Sequence, residues 1–227
     1  MKPWHLIGRA QTPGGGAELV LYQRDQEFSL QADNMELMNS RIYGSEEAMA
    51  MLGCQNLAKR SKVRVLIGGL GMGYSVRTAL DILREDARVV VAELVPAVIE
   101  WNRGVLADLA DRPLDDRRTE VHEADVIELI TAAKGTYDAI MLDVDNGPEA
   151  MVSKGNNWLY SPQGLTASYK ALRRGGVLAI WSADSQPAFV RRLRRARFKV
   201  EEVKVRARGG SKRRGGAHHV VWVATRD

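Results

Sequence analysis

Residues Val63-Arg-Val-Leu-Ile-Gly-Gly-Leu-Gly-Met-Gly73 carry an apolar, β-branched run into a glycine-rich turn, and Val89-Val-Val-Ala-Glu93 follows it with a second apolar run ending in an acid. Glycines let a backbone approach a ligand closely, and a carboxylate at the end of the next strand offers two acceptor oxygens to the vicinal hydroxyls of a ribose. The pattern predicts a site for a nucleoside-containing cofactor. Gly69, Gly71 and Gly73 follow G-x-G-x-G, whereas the dinucleotide fingerprint G-x-G-x-x-G fails in both frames, because Tyr74 and Val76 stand where its last glycine belongs. No G-x-x-x-x-G-K-[ST] phosphate loop occurs. A turn with no pyrophosphate to cradle suits S-adenosylmethionine or a relative better than NAD.

Two further acids, Asp125 and Asp143, fall just after expected strands, at the edge where open α/β sheets bind their ligands. Metal chemistry is not expected. The four histidines are scattered, and the adjacent His218 and His219 would point to opposite faces of a strand. All four are read as structural. The single Cys54 can form neither an internal disulfide nor a cysteine-based metal site and reads as packing filler in a helix.

These residues need a scaffold of alternating elements. Strands are expected at 63–67, 88–93, 119–122, 137–142, 176–181, 198–206 and 218–225, with helices near 74–85, 95–107, 125–133, 162–173 and 185–196. Pro96 and Pro162 fit first-turn positions, and Gly175-Gly176 is expected to end one helix and start a strand. Such alternation implies a mostly parallel sheet with helices on both faces and an antiparallel hairpin at one edge. Upstream, residues 17–31 alternate on either side of Gln23–Gln26 and predict a β-hairpin that serves as a lid or a dimer contact. Ser45 is expected to cap a helix burying Ala48, Met49, Met51, Leu52 and Leu57. The organisation expected is a small N-terminal β segment over 1–44 and a Rossmann-like catalytic domain over 45–227.

With 227 residues, 45% of them hydrophobic, the chain has the size and apolar content of one α/β unit. No run reaches membrane-spanning length, and Met1-Lys-Pro-Trp-His has no apolar leader, so a cytoplasmic location is expected. The formal net charge is +5, with twelve Lys and Arg between Arg191 and Arg214. Nucleic acid is not favoured as a partner: Phe189 and Leu193 make the arginines the solvated face of a helix, Gly209–Gly216 reads as a hairpin loop, and Phe198 is the single aromatic residue among the bases, too few for stacking platforms.

Taken in order, Val-Leu-Ile-Gly-Gly-Leu-Gly-Met-Gly, Ala-Glu93-Leu, Glu-Ala124-Asp125, Tyr137-Asp-Ala-Ile-Met-Leu-Asp143, Leu159-Tyr-Ser-Pro-Gln-Gly-Leu and Arg173-Arg-Gly-Gly-Val-Leu resemble the spermidine synthase (polyamine aminopropyltransferase) family. The resemblance implies the class I methyltransferase fold: a mostly parallel seven-stranded sheet with a terminal antiparallel hairpin, preceded by a short N-terminal β-hairpin. It places Gly69, Gly71 and Gly73 under the donor's amino-acid or aminopropyl arm, Glu93 on the ribose, Asp125 beside Ala124 at the adenine amino group, and Asp143 at the reactive centre. It also implies a homodimer.

Two departures bear on the chemistry. The family's G-G-G-D-G-G turn carries an aspartate facing the donor's terminal amine, and Gly71 stands there; its D-[ST]-x-D-P-x-G-P loop is shortened to Asp143-Val-Asp-Asn-Gly-Pro148, leaving Asp143 with Asp145 or Asn146 as the polyamine-holding pair. Residues 146–158 read as a gate, and Trp158 and Tyr160 are expected either to wall the acceptor pocket or to anchor the loop on the core. The reading favoured on these departures is methyl transfer from S-adenosylmethionine to a small, amine-containing acceptor, with Asp143 and Asp145 catalytic. The alternatives are a polyamine aminopropyltransferase using decarboxylated S-adenosylmethionine and a non-catalytic nucleoside- or nucleic-acid-binding protein.

Overall fold

The computed structural model describes residues 2–14, 16–143, 158–207 and 217–227. Four antiparallel strands come first: β1 (His5–Gln11), β2 (Glu18–Arg24), β3 (Glu27–Ala32) and β4 (Met35–Asn39), paired in sequence order. The expected hairpin is the β2–β3 pair, but it lies inside a four-stranded meander. Asp33 and Asn34 make the β3–β4 turn, both left-handed (φ 47 and 66) between the paired Ala32 and Met35. A two-residue turn of that hand matches the twist of its strands, and Asn tolerates it without a glycine.

Next comes α1 (Gly44–Cys54), whose N-cap is Tyr43 with no side-chain cap, so Ser45 does not cap it. Met49 and Leu57 are buried as expected, but Met51 is 49% exposed. Cys54 is buried filler, its thiol pushed up to about 12 by desolvation.

The alternating part runs β5 (Arg64–Gly68), α2 (Tyr74–Ile82), β6 (Arg88–Glu93), α3 (Pro96–Arg103), β7 (Thr119–Glu123), α4 (Val126–Ala132), β8 (Tyr137–Leu142), α5 (Pro162–Ala171), β9 (Leu172–Ser182), α6 (Pro187–Arg195), β10 (Phe198–Arg206) and β11 (His218–Arg226). The sheet order is β10-β11-β9-β8-β5-β6-β7. β5 to β9 are parallel; β11 enters antiparallel between β9 and the edge strand β10. This is the expected Rossmann-like fold. Alternate strand residues feed two cores: Val65, Ile67, Ala139 and Met141 pack toward α1, α2, α3 and the N-terminal sheet, whereas Leu66, Ile140, Leu142 and Ile180 pack toward α4, α5 and α6. Of the expected basic face, α6 buries Phe189 and Leu193; residues 208–216 lie outside the described residues.

Several boundaries differ: α2 ends at Ile82 and α3 at Arg103, short of the expected 85 and 107. α5 ends at Ala171 and β9 begins at Leu172, so Gly175-Gly176 sits in a bulge inside β9, where Leu172 pairs with Tyr137 but Val177 with Ala139. Among the described residues no helix is long and apolar enough to cross a membrane.

Candidate functional site

β5 has the β6–β7 branch on one side and the β8–β9 branch on the other, so the chain reverses its winding there and the two branches diverge beyond the strands' carboxyl ends. A cavity of about 810 Å³ opens at that crevice. It is bordered by Gly69 and Gly71 after β5, Glu93 at the end of β6, Ala124 and Asp125 after β7, and Asp143 after β8. The N-terminal sheet closes it with Leu37, Met38 and Asn39, and α1 adds Ser45 and Glu46.

Glu93 holds the glycine turn in shape. Its Oε2 accepts the Leu70 N–H and its Oε1 the Val95 N–H, both at 2.9 Å, tying the loop after β5 to the end of β6. It is 8% exposed, and burial raises its carboxyl above the usual range against the pull of those N–H groups. Each oxygen keeps acceptor capacity for a ribose hydroxyl. Gly71, at φ +55, has its carbonyl held by the Asn102 side-chain amide at 2.8 Å, and a Cβ there would meet Met38 Cε at 2.8 Å. Gly73 is the N-cap of α2, packed against Pro113 and Asn102, and is not among the residues bordering the cavity. Glu93→Ala is expected to weaken binding of an adenosyl ligand by about 2–4 kcal/mol, the range for removing a buried charged partner. Calorimetry on a folded variant measures it, and unchanged affinity would reduce Glu93 to a support of the turn.

Ala124 donates its N–H to the Glu93 carbonyl at 3.1 Å, and Asp125 Oδ1 accepts the Ile127 N–H at 2.9 Å as the N-cap of α4. Asp125 therefore caps a helix and borders the cavity at once. Asp143 donates its N–H to the Gly68 carbonyl at 3.2 Å, which fixes it beside the first residue of the glycine turn. Burial pushes its carboxyl up to about 6.

Asp145 and Asn146 lie outside the described residues, as does the expected gate up to residue 157. Trp158 and Tyr160 serve the core and are not among the cavity's bordering residues. Tyr160 is 2% exposed, edge-on to Phe189 with centroids 5.8 Å apart, and its carbonyl accepts from Arg192 at 2.8 Å. The Trp158 carbonyl accepts the Ser161 hydroxyl at 2.6 Å, where Ser161 caps α5.

Sequence reasoning misses three residues here. Glu46, in the first turn of α1, borders the cavity with its Oε2 buried and without a hydrogen-bond partner. Burial, and after it the charge of Asp143, holds its carboxyl well above the usual range. His219 and Trp181 also border the cavity: the Trp181 indole N–H lies 3.3 Å from His219 Nδ1, and the Ser45 hydroxyl 3.1 Å from the same nitrogen. Because an indole nitrogen only donates, Nδ1 is the acceptor and the ring proton sits on Nε2. Burial lowers the His219 pKa, so the ring is neutral. A first-turn acid complements a helix dipole in countless sequences, and only the fold brings this one to a ligand crevice.

The charge balance is one-sided. Among the described residues bordering the cavity are five carboxylates, Glu36, Glu46, Glu93, Asp125 and Asp143, and no Lys or Arg. In a chain with net charge +5 this selects for cationic ligands.

The sequence profile of the spermine/spermidine synthase domain matches residues 44–191. The polyamine aminopropyltransferase of Mycobacterium tuberculosis is 26% identical over 169 residues, covering 72% of this chain and 30% of that protein; its Mycobacterium bovis counterpart matches to the same extent. The chain thus spans under a third of the length of these relatives. Among solved structures, spermidine synthase from Thermotoga maritima superposes with a TM-score of 0.74 at 18% identity over 98% of this chain and 73% of that one. A spermidine synthase in complex with the transition-state analogue AdoDATO gives 0.73 at 18% identity, over 98% of this chain and 72% of that one.

Proposed function

The chain belongs to the spermine/spermidine synthase family, and from that premise we propose that it transfers an aminopropyl group from decarboxylated S-adenosylmethionine to a small amine. The expectation of methyl transfer from S-adenosylmethionine is overturned by the domain match and by relatives that are polyamine aminopropyltransferases. That expectation rests on the missing acid at Gly71 and on the shortened loop after Asp143, whereas the fold carries Glu46 to the same cavity from another element.

The observation that carries the reading is the acidic border of the cavity, free of Lys and Arg among the described residues. Such a border favours an ammonium group and repels the carboxylate that distinguishes S-adenosylmethionine from its decarboxylated form. Glu93 and the turn at Gly69 and Gly71 are assigned to the ribose and the donor arm, Asp125 to the adenine, and residues 1–44 to a unit that lids the donor. The donor's sulfonium supplies the activation, so the protein mainly aligns the reactants and excludes water. The acceptor nitrogen bonds to the carbon attached to sulfur, the C–S electron pair leaves on sulfur to give methylthioadenosine, and the nitrogen's surplus proton passes to Asp143.

The test is direct: the protein is incubated with decarboxylated S-adenosylmethionine and a panel of diamines, and methylthioadenosine is assayed. Release of S-adenosylhomocysteine from S-adenosylmethionine, with no methylthioadenosine, would sink the reading. The same assay gives a pH profile. Asp143 accepts a proton only when ionised, so kcat/KM should fall as pH drops through about 6. That limb belongs to the interacting Asp143 and Glu46 together. A kcat/KM flat from pH 5 to pH 8 would remove Asp143 as the proton acceptor.

A further inference from the structure

Most of the cavity's acids already have duties. Glu93 accepts two backbone N–H groups, Asp125 caps α4, and Glu36 accepts from Ser29 at 2.7 Å and Asn39 at 2.6 Å. Glu46 differs: its Oε2 is closed off from solvent, has no hydrogen-bond partner among the described residues, and feels the negative charge of Asp143. A carboxylate oxygen so placed stands far from its preferred state, which is to be hydrated or paired. The backbone N–H of Glu46 pulls its carboxyl back toward the usual range, but less than burial raises it. No Lys or Arg is among the described residues bordering the cavity, and His219 there is neutral. The glycine turn supplies no acid either: a Cβ at Gly71 would meet Met38 Cε at 2.8 Å, so Met38 occupies the space an acidic side chain there would need.

We propose that Glu46 is a substrate-binding residue whose carboxylate receives a primary alkylammonium group of the substrate, together with Asp143 in the same cavity. The inference rests on the aminopropyl-transfer reading and adds to it the residue that recognises the amine. A primary ammonium carries three donors, enough to serve Glu46 and Asp143 together. Binding it converts two carboxylates that oppose one another into two that share a cation, so the unfavourable empty state sharpens the preference for a charged ligand. Two sources present this group: the aminopropyl arm of decarboxylated S-adenosylmethionine and the distal end of a diamine acceptor.

The experiment compares wild type, Glu46→Gln and Glu46→Asp by calorimetry with decarboxylated S-adenosylmethionine, S-adenosylmethionine and putrescine, alongside melting curves. Glu46→Gln keeps the size and removes the charge, so affinity for the amine it serves should fall about ten- to a hundredfold, the range for a charged hydrogen bond. If the donor arm is the occupant, decarboxylated S-adenosylmethionine weakens, S-adenosylmethionine does not, and the preference between the two narrows by that factor. If the acceptor is the occupant, putrescine alone weakens. Glu46→Asp, which keeps the charge, should recover part of the loss. A merely structural glutamate would show instead as a lowered melting temperature with all three ligands affected alike. Wild-type release of methylthioadenosine combined with unchanged amine affinities in Glu46→Gln would overturn the assignment of Glu46 and leave aminopropyl transfer standing. Wild type that bound neither amine would overturn both.

Discussion

Asp143→Asn is expected to slow turnover by roughly 10²–10⁴-fold, the loss typical of a missing general base, over and above any weaker hold on the ammonium group it shares with Glu46. The amide is almost isosteric and keeps an acceptor oxygen, so a role limited to bonding the following backbone would survive the change. What it cannot do is take the acceptor's proton. The same substitution should stabilise the protein at neutral pH. Burial lifts the Asp143 carboxyl from 3.8 to about 6 in the folded chain, so between those values the folded state holds more proton than the unfolded state and stability falls as pH rises. Above pH 6 the wild type carries the whole of this penalty; below 3.8 it carries none. Melting curves at pH 4 and pH 8 should therefore separate Asp143→Asn from wild type only at the higher pH. Wild-type turnover by Asp143→Asn would withdraw the catalytic assignment, and an equal melting temperature at pH 8 would show that the aspartate is well solvated.

The contrast between Asp143 and Glu46 shows what the sequence can disclose about this site. Asp143, Glu93 and Asp125 each end or follow a strand whose apolar run is visible, and in an open parallel sheet all such positions share one edge, so their convergence can be reasoned without coordinates. Glu46 precedes the first parallel strand, on α1, and Met38 belongs to a strand that follows a turn without glycine. Neither carries a local mark of its role. Their approach to the cavity depends on how α1 and the N-terminal sheet pack on the buried cluster of Val65, Ile67 and Met141, a non-local outcome. The departure at Gly71 is legible along the chain, but the acids that other elements bring to the same cavity are not. Similarly, Arg173 was absorbed into the end of a helix, whereas it lies in β9 and its guanidinium bonds to Asp138.

That contact leads to the largest stability effect expected. Asp138, in β8 at the end away from the cavity, has a side chain 1% exposed and is held by Arg60 at 2.7 Å, by Arg173 at 2.7 Å and by the Arg64 N–H at 2.9 Å. Its two guanidinium partners are 47% and 42% exposed, so the cluster is asymmetric: the anion is sealed and the cations reach water. Removing the anion strands little, and Asp138→Asn should cost about 1–3 kcal/mol, mostly in weakened bonds. Removing both cations leaves a carboxylate buried without charge compensation. The Arg60→Met, Arg173→Met pair should therefore cost about 3–5 kcal/mol, a fall in melting temperature of about 6–20 °C for a chain of this size. Adding Asp138→Asn to that pair should recover stability, because the group that made the pair harmful is then neutral. Denaturant titrations of the four proteins measure the cycle. A triple variant less stable than the double would show that Asp138 is held by its backbone bond and not by the arginines.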